Sequence, residues 1–156
     1  MSFIAISVPP AAPAAAVIEN DGFFPDIDPA AARARMRIDG TVTAERLAAA
    51  LTEAAASANQ QLAAWKRRQL AAGAWTLEDV NAETIGGTSI LVQRYRRAVE
   101  CAAAASLIER HRSFDATGDG HQYADKLESP IEDLRRDASW AISDILGAAR
   151  TTIELI

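Results

Sequence analysis

The side chains able to do chemistry are few and far apart. His111 and His121 are the only histidines, ten positions apart across a polar run, and Cys101 is the only cysteine. A zinc site built on this pair would need carboxylates to complete its ligands, an uncommon donor set. The pair therefore does not read as a metal centre. Asp115, Thr117 and Asp119 with Gly120 match the first half of a calcium loop. The twelfth position, which must supply a bidentate glutamate, is Lys126, and Glu128 comes two residues late. Two oxygens are lost there and a positive charge gained, so the segment reads as a turn between helices.

Other catalytic patterns fail in similar ways. Ile85-Gly86-Gly87-Thr88-Ser89 lacks the lysine of a phosphate loop. Serines and acids are plentiful, but no nucleophile elbow frames any serine. Glu132-Asp133 follows Ser129-Pro130, where a favourable charge at a helix N-terminus explains it without catalysis. Cys101 precedes four alanines and reads as a small buried hydrophobe. No catalytic residue, cofactor or metal is expected, and the chain does not read as an enzyme.

The remaining distinctive feature is Phe23-Phe24-Pro25-Asp26-Ile27-Asp28-Pro29, two adjacent phenylalanines ahead of a helix start. Asp28 can cap that helix and Pro29 fits its first turn. Phe23, Phe24, Pro25 and Ile27 are candidates for an interface or a staple, and intrachain packing of the two rings is the equal alternative.

The elements that would carry these residues are helical. Alanine fills roughly a fifth of the 156 positions, well above ordinary usage. A short helix is expected over 29–38, stopped by Asp39-Gly40. Thr43 can cap a long second helix whose stripe is Leu47, Leu51, Ala54, Ala58, Leu62 and Trp65, with Gly73 as its stop. Thr76 with Asp79 resembles a capping box for a single turn. Ile85-Gly86-Gly87 breaks regular structure, and Thr88 or Ser89 can start a third long helix. That helix carries Leu91, Tyr95, Ala98, Ala102 and Ala105 on one face, small enough for a neighbour to cross near 102–105. A last helical region spans about 121–146, interrupted at Ser129-Pro130. Ile131, Leu134, Ala138, Ala141, Ile142 and Ile145 form its stripe, and Gly147 ends it.

The expected fold is all-α, a compact bundle of three main helices plus one or two short ones, with extended N- and C-terminal arms. The expected division is an arm over 1–22 with a Pro/Ala spacer, a helical domain over 23–147 and an extended tail over 148–156. Ile4 and Ile6 lie in a possible strand within the arm. Thr152, Ile153, Leu155 and Ile156 lie in a β-branched tail suited to docking.

The formal net charge is −5, which disfavours nucleic-acid binding over a basic face. Arg33, Arg35 and Arg37, then Lys66, Arg67 and Arg68, then Arg94, Arg96 and Arg97 form three local clusters. Each reads as a solvated or salt-bridged helix face. One cysteine allows no intrachain disulfide, which suits a reducing compartment. Pro9, Pro10 and Pro13 break the N-terminal apolar stretch, so it does not read as a signal peptide. No stretch is long and apolar enough to span a bilayer, and the chain is expected to be soluble, with no membrane partner.

Phe23-Phe24-Pro25-Asp26-Ile27-Asp28-Pro29, then Arg35-Met36-Arg37, then Thr41-Val42 resemble the head completion protein (GpL) family of temperate, contractile-tailed phages. The resemblance continues in Tyr95-Arg96-Arg97-Ala98-Val99, in Ala105-Ser106-Leu107-Ile108-Glu109-Arg110, and in Arg136-Asp137-Ala138-Ser139-Trp140-Ala141, covering about 23–147. It implies a virion structural protein, assembled in the host cytoplasm, that completes the head after DNA packaging. The implied role is a helical head–tail connector: a ring, usually twelve-fold, beneath the portal protein, offering a surface to tail-completion proteins. DNA would pass nearby without specific binding. The alternative reading is a small DNA-binding packaging subunit using the arginine clusters.

Overall fold

The structure is a computed structural model and describes residues 16–38, 40–114 and 121–149. Helix α1 (Pro29–Met36) begins where Asp28 accepts hydrogen bonds from the Ala30 and Ala31 amides, with Pro29 in the first turn. It closes in a Schellman turn: Ile38 N–H donates to the Arg33 carbonyl and Arg37 N–H to that of Ala34. The left-handed position of this turn is held by Arg37, at φ 54°, where a Cβ is disfavoured. Arg37→Gly is therefore expected to raise stability by roughly 0.5–1 kcal/mol, measurable as a higher urea midpoint at unchanged slope.

Helix α2 (Ala44–Ala71) starts under Thr43, whose hydroxyl accepts from Arg46 N–H. Its buried residues are Leu47, Leu51, Ala54, Ala55, Ala58, Leu62 and Trp65, the anticipated stripe with Ala55 added. Gly73, at φ 95°, occupies the left-handed position of its terminal Schellman turn. A 3-10 turn (Leu77–Asp79) follows, with the Thr76–Asp79 capping box formed in both directions.

A small antiparallel hairpin comes next, strand β1 (Thr84–Ile85) on strand β2 (Thr88–Ser89). Gly86 and Gly87 both have positive φ, 62° and 76°, the requirement of the two-residue type I′ turn. The all-α expectation is thus corrected in detail: the molecule is mostly helical, with one two-stranded sheet. Ser89, expected as a possible helix start, sits in β2, and among the described residues its buried hydroxyl has no hydrogen-bond partner.

Helix α3 (Ile90–Phe114) and helix α4 (His121–Leu146) form the most extensive helix pairing of the fold. Ala103, Ala104 and Ala105, beside the small residues expected to admit a neighbouring helix, are buried. Ile131, Ala141, Ile142 and Ile145 bury the facing side of α4. Its backbone runs through Ser129-Pro130 without the expected interruption. Proline removes one backbone donor and strains one turn, which the pairing with α3 tolerates. Helix α4 ends at Gly147 (φ 69°), with Ala148 N–H donating to the Ser143 carbonyl.

One core unites these elements, with residues from α2, α3 and α4 around Phe23, Phe24 and Ile27. The segment ahead of Phe23 also touches it. Ile18 and Ile27 exchange two backbone hydrogen bonds of 2.8 and 3.0 Å. Residues 18–22, assigned to the arm from sequence, are therefore fastened to the helical body. The arm residues Ile4 and Ile6, the tail residues Thr152, Ile153, Leu155 and Ile156, and the Asp115–Gly120 turn lie outside the described residues.

Candidate interaction surface

The Phe-Phe-Pro-Asp loop is assembled from the inside. Phe24 is 2% exposed and stacks on the buried Tyr95 of α3, centroids 4.7 Å apart and planes 7° from parallel. Phe23 is 3% exposed, edge-on to Phe24 at 5.1 Å and to Trp65 of α2 at 6.2 Å. Such geometries add to the gain from burial. The Lys66 ammonium lies 5.4 and 5.7 Å from the two phenylalanine centroids. Its Nζ donates to Asp21 at 2.7 Å. Asp21 in turn accepts the Phe23 and Phe24 amides at 3.1 and 3.0 Å.

Below this layer three side chains close a ring of hydrogen bonds. Asn20 Nδ2 donates to Tyr95 Oη, Tyr95 Oη donates to Asn59 Oδ1, and Asn59 Nδ2 donates to Asn20 Oδ1, at 2.9, 2.6 and 2.8 Å. Burial pushes the Tyr95 phenol up to about 12, so it stays a donor at any ordinary pH. Asn20 also donates to the Pro25 carbonyl, and its own amide donates to Asp26. Each buried polar atom in the ring has a partner, the condition under which such a network fixes one geometry.

Desolvation raises the Asp21 carboxyl, but the Lys66 ammonium and the Phe24 and Phe23 amides together outweigh it and hold it below the ordinary value. The sign follows from linkage. A carboxyl with a lowered folded pKa contributes stability above its unfolded value, and loses it as pH falls through the folded one. Wild-type protein is therefore expected to lose stability on acidification below about pH 4, and Asp21→Asn to lose less over that window. Urea midpoints measured across pH 2–6 for both chains check this.

Each of the three basic clusters has at least one member engaged within the subunit, Lys66 by the Asp21 contact above. Arg35 donates from Nε to Glu100 of α3 at 2.9 Å, and Glu100 is a buried acid. Arg97 meets Asp137 at 2.9 Å and Arg94 meets Asp144 at 3.6 Å, both tying α3 to α4. Arg33 donates to the Val42 carbonyl. Cys101 is half-buried, and desolvation pushes its thiol up, away from the reactive thiolate. Among the described residues no cluster of His, Cys, Asp and Glu could hold a metal ion, and no helix is long and apolar enough to cross a membrane.

What lies outside is different in kind. Trp75 is 76% exposed and Ile85 59% exposed, with Leu146 partly exposed. Trp75 and Ile85 lie in the connector from α2 to α3, and Leu146 ends α4. The same end of the bundle carries an open groove of about 430 Å³ between α2, the connector, the start of α3 and Ile145. Phe23, Phe24 and Ile27 are buried and Pro25 is half-buried, so the rings occupy the packing alternative within the subunit. Sequence reasoning singled out neither Trp75 nor Ile85. The available signal was a tryptophan between Gly73 and a helix cap, outside every apolar stripe, and an isoleucine at the tip of a Gly-Gly hairpin.

The family model for phage head completion proteins (GPL) matches residues 18–156. This chain belongs to that family. It is 44% identical over 140 residues to the "Head completion/stabilization protein" of Escherichia phage P2, an alignment covering 90% of this chain and 83% of the relative. No solved structure matches. This head completion protein is accordingly a structural component of the virion and not a member of an enzyme family. The match begins at Ile18, the first residue of the bridge that fastens the Phe-Phe loop.

Proposed function

We propose that this head completion protein is a head–tail connector: it binds beneath the portal protein once DNA is packaged and presents the surface that tail-completion proteins recognise. The observation that carries this reading is family membership over nearly the whole chain. The bundle end bearing Trp75, Ile85 and Leu146 supplies contact residues of the kind that anchor interfaces. A ring, with twelve copies to match a portal, needs two different patches that meet on neighbouring subunits. One is this bundle end. The other is drawn from the chain's ends, where Ile4, Ile6, Thr152, Ile153, Leu155 and Ile156 are apolar or β-branched. Phe23, Phe24, Pro25 and Ile27 act in this scheme by holding the loop and the chain before it in place. A net charge of −5 suits a passage through which DNA moves without being retained. Assembly takes place in the host cytoplasm.

Electron microscopy of the purified chain mixed with portal rings tests the reading. An added layer on one face of the portal is expected, with the chain's own rotational order. Portals that stay bare at micromolar chain would overturn it.

A further inference from the structure

Helices α1, α2 and α4 each end on a residue in the left-handed region, and they do not fill it alike. Glycine holds it after α2 and α4, Gly73 at φ 95° and Gly147 at φ 69°. After α1 the residue is Arg37, at φ 54°. A side chain is disfavoured in that conformation, and glycine carries no such penalty. The turn around Arg37 is well fixed. Met36 and Ile38, on either side of it, pack against the core, and Arg33 donates to the Val42 carbonyl at 2.7 Å. Arg37 itself is exposed. Among the described residues its guanidinium has no hydrogen-bond or ion-pair partner. Its neighbours on α1 differ: Arg33 is held by Val42 and Arg35 by Glu100. The backbone at 37 thus carries the cost of a Cβ while no described residue of the subunit uses the charge. Strain of this kind collects where a side chain serves a contact beyond its own fold.

We propose that Arg37 is a contact residue for a neighbouring virion protein, its guanidinium presented by the fixed turn between α1 and α2 to a carboxylate of that partner. The group is charged at every ordinary pH, and its fork of donors matches a carboxylate. A nucleic-acid backbone is the poorer fit. Binding it draws on several cations together, Arg33 and Arg35 are committed within the subunit, and the net charge of the chain is −5. The turn precedes α2, whose 28 residues span about 42 Å. This contact is therefore separate from the Trp75–Ile85 end, which follows α2.

Two measurements on the full chain test this, and neither uses isolated portal. Arg37→Gly is expected to raise the urea midpoint, as above, yet to lower the yield of completed heads about tenfold when subunit is limiting, because the partner carboxylate is left unpaired. Arg37→Lys keeps the charge and is expected to recover the yield to within a few-fold of wild type. Gain of stability with loss of assembly separates an outward contact from a structural role, which would lose both. For the second measurement, Ala34→Cys with Cys101→Ser carries a thiol-linked benzophenone one turn from Arg37 and is irradiated in assembling particles. Adducts are expected on a peptide that contains Asp or Glu. Normal head completion by Arg37→Gly, a lowered urea midpoint, an Arg37→Lys chain no better than Arg37→Gly, or adducts that are absent or confined to DNA would each overturn the proposal. Its failure leaves the connector reading standing, and bare portals in the microscopy above would sink that reading without touching this contact.

Discussion

Replacing Phe24 with alanine is expected to destabilise the isolated subunit by about 3–5 kcal/mol, the usual cost of emptying a buried aromatic site. The ring is 2% exposed, lies flat on Tyr95 and meets the edge of Phe23. Its loss opens a cavity and removes the support of the Asn20–Asn59–Tyr95 hydrogen-bond ring. In thermal unfolding the midpoint should fall by roughly 10 °C or more. Pro25→Ala, at a half-buried position, should cost far less and serves as the control. A Phe24→Ala subunit of ordinary stability that failed only in assembly would show that the ring acts at an interface after all.

The second large effect is on assembly, with stability spared. Trp75→Ala together with Ile85→Asp removes two exposed side chains from the bundle end. Substitutions away from the core usually change stability by about 0.5 kcal/mol or less. Losing two interface anchors at about 2 kcal/mol each would weaken partner binding roughly a thousandfold. The variant subunit should unfold at nearly the wild-type midpoint and fail to bind portal rings or complete heads. Binding within a few-fold of wild type would remove this surface from the account.

Much of the fold was legible because its signals are local. The α2 stripe, the caps Asp28, Thr43 and Thr76, and the stops Gly73 and Gly147 each depend on a few neighbouring residues. The hairpin was missed although its signature, Thr84-Ile85-Gly86-Gly87-Thr88-Ser89, is also local. Two residues per strand are too few to show alternation, and the glycines read equally well as a plain break. Pro130 was over-weighted because helix α4 is held by its partner more than by its own propensity.

The interaction surface was less legible for a different reason. Whether Phe23-Phe24 points inward depends on contacts with Trp65 and Tyr95, about 40 and 70 positions away. Asn20 and Asn59 look like ordinary polar residues until the fold brings them to the same tyrosine. Exposure of Trp75 is a property of what fails to cover it, which no local pattern records. The Phe-Phe-Pro-Asp block was the most specific of the several on which the family resemblance rested, and its residues have a physical reason to occur together: they clamp the start of the family-matching region onto α2 and α3.

This protein works by contact with other virion parts, as a structural member of the head completion family and not as an enzyme. The most direct test is electron microscopy and DNA content of particles assembled in its absence. DNA-filled heads that fail to acquire tails and leak their DNA are expected, rescued by the wild-type chain and not by Trp75→Ala with Ile85→Asp. Tailed, infectious particles produced at normal yield without the protein would contradict it.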